Sequence, residues 1–138
     1  MKFTLNAYLG MCIGACLTFT ACNKDKTPEE LLTGTTWKLV SSDYKDAGET
    51  TWTVEPIESC NIDDTFTFKN DVATIDAGTI KCDPTDPQTD SLPYILSEDG
   101  KTFTIDGEIF TVEKLDKSNF IIVNDDSGDL SRATFHAK

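Results

Sequence analysis

Leu92-Pro93-Tyr94-Ile95-Leu96-Ser97-Glu98-Asp99-Gly100-Lys101-Thr102-Phe103-Thr104-Ile105-Asp106-Gly107-Glu108-Ile109-Phe110-Thr111-Val112 alternates apolar and polar side chains around two Asp-Gly pairs. Leu92, Tyr94 and Leu96 share one face, as do Phe103 and Ile105, and then Phe110 and Val112. A period of two belongs to strands and not to helices. Asp-Gly is the dipeptide of tight hairpins, because both positions take positive φ at little cost. Three consecutive antiparallel strands are therefore expected from this one stretch.

The same pattern extends in both directions. Downstream, Asp116-Lys117-Ser118 is expected to turn the chain into Phe120-Ile121-Ile122-Val123, the most apolar strand. Asn124–Asp129 reads as an acidic loop, and Arg132–Ala137 as a closing strand with Ala133 and Phe135 on one face. Upstream, Pro84 and Pro87 make 81–90 a loop, since proline cannot donate to a central ladder. Before it, Ile62, Phe66 and Phe68 share a strand face, and Lys69-Asn70-Asp71 turns the chain into a strand over 72–77. Trp52 and Val54 mark a further strand after the turn Asp46-Ala47-Gly48, and Trp37 and Leu39 mark the first. Ahead of them Thr27 can cap one helical turn, with Pro28 at its first position, acids in its first turn and Gly34 at its end. The expected fold is all-β: about eight strands in sequential hairpins, an up-and-down barrel or an antiparallel sandwich, with one short helical turn in front.

The first residues have a different character. Lys2 precedes an uncharged, mostly apolar or small run from Ala7 to Ala21, 15 residues long. That is within the range of a secretory leader and short of the roughly 20 residues needed to span a bilayer as a helix. The run ends Phe19-Thr20-Ala21-Cys22. This resembles the lipid-attachment signal of bacterial lipoproteins, with Phe19 where that signal usually has Leu. The resemblance implies cleavage before Cys22 and a diacylglyceryl thioether, with an acylated amine, on that cysteine. An ordinary cleaved leader with an incidental cysteine is the alternative. Each buried methylene contributes about 0.8 kcal/mol, and two or more chains make attachment stable. The expected organisation is a leader over 1–21, a lipidated cysteine with a flexible polar linker over 22–29, and a β domain over 30–138. The expected location is the outer membrane, facing the periplasm or the cell exterior.

Charge and cysteines narrow the partners. The chain holds 24 acidic residues against 12 Lys and Arg, a formal net charge of −12. Such a surface repels nucleic-acid phosphates and anionic headgroups, so nucleic acid is not an expected partner. Of five cysteines, Cys12 and Cys16 leave with the leader and Cys22 takes the lipid. Cys60 and Cys82 remain as an even pair, and in an oxidising compartment they are expected to form a disulfide. Closing a loop of about 22 residues contributes roughly 3 kcal/mol in the chain-entropy account. The competing reading is a metal pair, which no C-x-x-C or Cys/His clustering supports.

Leu32-Thr33-Gly34-Thr35-Thr36-Trp37-Lys38-Leu39, Cys60-Asn61-Ile62-Asp63-Asp64-Thr65-Phe66-Thr67-Phe68, Cys82 and Phe110-Thr111-Val112-Glu113-Lys114-Leu115 resemble the lipocalin-like domain of bacterial lipoproteins. Two residues separate Gly34 from Trp37 where true lipocalins have one. The resemblance spans about residues 30–136 and implies a small meander barrel. It carries no catalytic residues to transfer.

Catalysis is not expected, and neither is a cofactor. His136 is the only histidine, no Gly-rich phosphate loop follows a strand, and no free cysteine remains after residue 22 to act as a nucleophile. The oxygen-rich segments 83–90 and 124–129 do not have the spacing of a calcium loop, so no metal is expected. Asp64 shares the face of Phe66 and Phe68, whereas Asp63 points outward; an inward Asp at a barrel mouth would cap a turn or accept a hydrogen bond from a ligand. Trp37, Phe66, Phe68, Phe103, Phe110 and Phe120 are the candidate ligand-lining residues, with Phe135 on the same inner surface. An eight-stranded barrel is only just wide enough for its own side chains or one small ligand. Two functions compete on this reading. One is binding of a small apolar ligand at the barrel mouth. The other is an interaction or structural role in the envelope, with the barrel filled by its own side chains.

Replacing Cys22 with Ser removes the thioether. The Cys22→Ser protein is expected in the soluble fraction after a carbonate wash; if it still sediments with membranes, the anchor lies elsewhere.

Overall fold

A computed structural model describes residues 25–138. The expected leader over 1–21, with Cys12 and Cys16, and the expected lipidation at Cys22 lie outside the described residues. The elements are α1 (Pro28–Thr33), β1 (Trp37–Lys45), β2 (Thr53–Glu55), β3 (Thr65–Lys69), β4 (Val72–Asp76), β5 (Thr89–Leu96), β6 (Thr102–Ile105), β7 (Glu108–Leu115), β8 (Asn119–Asp126) and β9 (Asp129–Ala137). From β3 to β9 each strand pairs antiparallel with the next, and β9 pairs with β1 along the whole of β1. β1 meets β3 through Trp37 opposite Phe66, which closes a barrel of eight strands. The ninth, β2, lies on the same edge of β1 as β3 but further along, at Ser42–Tyr44.

Local chemistry sets the hairpins. Asn70-Asp71, Asp106-Gly107 and Ser127-Gly128 each put positive φ at both central residues of a two-residue turn. That mirror-image geometry matches the right-handed twist of the strands. The third of these turns corrects the acidic loop expected over Asn124–Asp129. β8 runs on to Asp126 and β9 starts at Asp129, so Ser127-Gly128 alone makes the connection. At Asp116 the carboxylate accepts from the Ser118 and Asn119 amides, both at 2.8 Å. These amides hold Asp116 down to about 2 and lock the β7–β8 turn.

α1 sits over one end of the barrel. Thr27 and Glu30 form a reciprocal capping box, and Pro28 occupies the first turn. Pro28 and Glu29, expected to belong to a flexible linker over 22–29, are instead the first residues of α1. Leu32 is fully buried beneath the helix, and its carbonyl accepts from Trp37 Nε1 at 3.0 Å. Tyr94 Oη donates to Glu29 Oε1 at 2.9 Å, tying the helix to β5. Gly100, at φ 68°, has the Pro28 ring so close that a Cβ there would come within 2.6 Å of it. Only glycine serves both the turn and this contact.

Between the ends lies a core of rings. Trp37, Phe68, Tyr94, Phe103 and Phe120 are at most 3% exposed, with Leu32, Ala73, Ile122 and Phe135 beside them. Outside the barrel wall, Asp43 is 5% exposed although it is charged. Arg132 on the neighbouring strand donates from Nε and Nη2 to Asp43 Oδ2 at 3.0 and 2.8 Å, and Ser41 donates to Oδ1 at 2.8 Å. The Arg132 guanidinium lies 4.2 Å from the Trp52 ring centre, with Lys45 on the same ring at 5.2 Å. Trp52 stands just before β2 and shields this ion pair from water.

The two tryptophans thus have different work. Trp37→Ala empties a closed space and should cost about 3–5 kcal/mol. Trp52→Ala loses an exposed-side cation–π contact of about 0.5–1 kcal/mol and some shielding. Thermal melts should show a large drop for Trp37→Ala and a small one for Trp52→Ala; equal drops would contradict this division.

Candidate functional site

Every sequence-predicted lining residue except Asp64 belongs to one continuous packed cluster. Phe120 contacts Phe103 at 5.3 Å between ring centres, Phe135 at 5.6 Å, Trp37 at 5.7 Å and Phe68 at 6.0 Å. Phe68 also meets Tyr94 and Phe103 edge-on. Phe110 packs on Phe103, and Phe66 packs on Phe135. Edge-to-face and offset contacts of this kind fill space efficiently and contribute about 0.5–1.5 kcal/mol each beyond area burial. The rings are one another's ligands.

Grooves lie on the surface of the described residues, and those beside α1, at the β5–β6 turn and along β1 are not lined by these rings. One of about 450 Å³ lies beside α1, between Lys26, Leu31 and the β7–β8 turn. Another of about 380 Å³ lies between the start of α1 and the β5–β6 turn. A third, with an apolar lining, runs along β1, with Leu39 and Val40 on one side and Val54, Pro56, Ile57 and Ile62 on the other, and measures about 390 Å³. Its origin is the seam. β1 has β3 as neighbour only at Trp37 and β2 only from Ser42 onward. Among the described residues no strand covers Lys38–Ser41 on that edge. A bulge between Leu39 and Ser41 in the pairing with β9 falls at the same place. Val40, Val54 and Ile62 are 40%, 69% and 51% exposed along this groove. Sequence reasoning placed Ile62 inside with Phe66 and Phe68. It lies instead before the start of β3, in the β2–β3 connection, where the period of two does not apply.

The end of the barrel away from α1 carries acids. Asp63 Oδ2 accepts from the Thr79 amide at 2.6 Å and from Thr79 Oγ1 at 2.7 Å. These bonds hold the Asp63 carboxyl below the usual range. Asp64 is half-buried, and its Oδ1 is enclosed without a hydrogen-bond partner among the described residues. Burial first, then the charges of Asp63 and Asp76, push its carboxyl up. Asp76 accepts from the Gly78 amide and from Gln88 Nε2, which also donates to the Gly78 carbonyl. The adjacent pair Asp63 and Asp64 is thereby split: one is stabilised as an anion, the other destabilised.

The Cys60–Cys82 disulfide is present, with Cα atoms 5.0 Å apart. It clasps the β2–β3 connection to the β4–β5 connection. His136 is exposed on β9, opposite Lys38 and Asn119. The Arg132–Asp43–Trp52 cluster was missed from sequence. Its signal was an alternation on β1 that puts a charge beside Ser41, but nothing local says which Arg arrives from 89 residues away. Comparison with protein families, with characterised proteins and with solved structures returns no match.

The two neighbouring acids predict opposite pH behaviour. Asp63, with a depressed folded pKa, adds stability above its unfolded value and loses it as pH falls. Asp64, with a raised folded pKa, subtracts stability as pH rises through the carboxylate range. Asp64→Asn should therefore raise the melting midpoint at pH 7 and change it little at pH 3. Asp63→Asn should lower it at pH 7, with the effect shrinking at pH 3. Shifts of the same sign at pH 7 would refute the assignment.

Proposed function

We propose that this chain is an exported, lipid-anchored, non-enzymatic envelope protein with a lipocalin-like barrel. On this reading it works through its surface as an interaction module. The observation that supports it is the closed ring cluster around Phe120, which occupies the space a carrier would give to its ligand. The anchor reading rests on Phe19-Thr20-Ala21-Cys22 and the uncharged run before it.

The contact surface on this reading is the groove along β1. A strand edge without a neighbour offers backbone donors and acceptors to an added extended segment. Its flanks are apolar, and Lys38 and Glu55 stand at its rim. An extended, apolar segment of another envelope protein would satisfy both. The second reading keeps a small apolar ligand and moves it to this groove, whose volume falls within the 300–1,000 Å³ typical of such sites.

Native mass spectrometry of the protein purified from its host membranes separates the two. The interaction reading expects the lipidated chain without a bound small molecule. It also expects Val54→Glu, at an exposed position, to leave the melting midpoint nearly unchanged. A small apolar adduct carried by the parent and lost in Val54→Glu would select the ligand reading.

A further inference from the structure

The disulfide has neighbours of a particular kind. Glu58 Oε2 lies 3.7 Å from Cys60 Sγ, and Asn61 Oδ1 lies 3.1 Å from Cys82 Sγ. One carboxylate oxygen of Glu58 and the two sulfurs all lie within 4.8 Å of one another. Glu58 and Cys82 are exposed and Cys60 is half-buried, so reagents in solution reach the bond.

Contacts independent of the S–S bond hold these groups together. The Asn61 amide donates to the Glu58 carbonyl at 2.9 Å, a turn that keeps Glu58 beside Cys60. Asp63 grips Thr79 through two hydrogen bonds, three residues from each cysteine. Gly78, at φ 63°, allows that grip, since a Cβ there would come within 2.5 Å of the Asp63 carboxyl. On the other side of Cys82, Lys81 Nζ donates to the Asp86 carbonyl at 2.9 Å. Opening the disulfide therefore leaves two thiols and a carboxylate facing one another.

We propose that reduction of Cys60–Cys82 converts this clasp into a site for a thiophilic divalent cation, with Cys60, Cys82 and Glu58 as its ligands. Zinc fits best: it takes thiolate sulfur at about 2.3 Å and carboxylate oxygen at about 2.0–2.2 Å in tetrahedral geometry. The sulfurs part to roughly 3.8 Å in that geometry, a change that side-chain rotation supplies. The reductant is a dithiol. Its thiolate attacks one sulfur, the mixed disulfide resolves within the reductant, and the two electrons leave Cys60 and Cys82 as thiols. Each thiol gives up a proton when the metal binds. Two thiolates and one carboxylate hold the divalent ion, the fourth position faces water, and the net charge of −12 on the chain favours the cation. A small-molecule or protein disulfide serves as the oxidant: one cysteine thiolate attacks it and displaces a thiolate, the second cysteine thiolate displaces the other, and the two electrons leave on the oxidant's two thiolates. Cys60–Cys82 is restored, both sulfur ligands are lost and the ion is released. The clasp thus becomes a redox-gated metal site.

The test uses the full chain with Cys12, Cys16 and Cys22 replaced by Ser, so that thiols arise only at Cys60 and Cys82. The protein is reduced with dithiothreitol, freed of it without air, and titrated with Cd²⁺, whose thiolate charge-transfer band reports binding. Zn²⁺ is then added in competition. The expected result is one metal per reduced chain, none per oxidised chain, displacement by Zn²⁺, and affinity at least about tenfold weaker in Glu58→Gln. Circular dichroism of the reduced protein should keep the β signature. Loss of that signature on reduction, absence of a charge-transfer band, one metal per two chains, or Glu58→Gln binding as tightly as the parent would each overturn the proposal.

Discussion

Phe120 meets Trp37, Phe68, Phe103 and Phe135, which come from four other strands, with ring centres 5.3–6.0 Å apart. A ring at the centre of a small barrel can pack this way only if the strands around it close at one radius. The narrow interior of an eight-stranded barrel and the number of large rings are thus one constraint seen from two sides. The strand carrying Phe120 also carries Ile122 inward, and β9 beside it carries Phe135. Dispersion contacts among so many atoms are individually small and collectively large, and they hold the rings as one packed cluster.

Closure at this radius shifts the stress to the seam. β1 pairs with β9 along its full length yet meets β3 at a single residue pair. Among the described residues no strand then covers the four residues after Trp37 on that edge, and the apolar groove follows directly. α1 supports the same corner from the other side, because Trp37 donates to the Leu32 carbonyl and so binds the start of β1 to the helix. One tryptophan thereby connects the lid, the seam and the ring cluster.

One group of polar features gathers at the β2–β3 and β4–β5 connections. Asp63, Asp64, Glu58 and the disulfide lie in these two connections, with Asp76 at the end of β4 beside them. Hydrogen bonds from Thr79, Gly78 and Gln88 organise this region in place of ladder pairing. A loop region held by side chains to backbone amides can keep its shape while a covalent bond within it opens, which a region held only by that bond could not do.

Sequence alone determined the strand faces, the lid and the disulfide pair. Alternation along 92–112 and the two Asp-Gly turns are local properties, and local chemistry decides them. Thr27, Pro28 and Gly34 announce α1 for the same reason. The burial of Trp37, Phe68, Phe103 and Phe120 was also legible, because a period of two assigns each side chain to a face. Tertiary structure decided what the faces enclose. Whether seven rings line a cavity or fill it depends on barrel radius and shear, which no single strand encodes. It also decided the Ile62 position, since alternation fails before β3 begins, and the partner of Asp43, since Arg132 arrives through the closure of β9 on β1. The split between Asp63 and Asp64 came from the same source: adjacent in sequence and identical in chemistry, both are partly enclosed, but Thr79 donates to Asp63 and outweighs its burial, whereas Asp64 has burial and neighbouring charges without such donors.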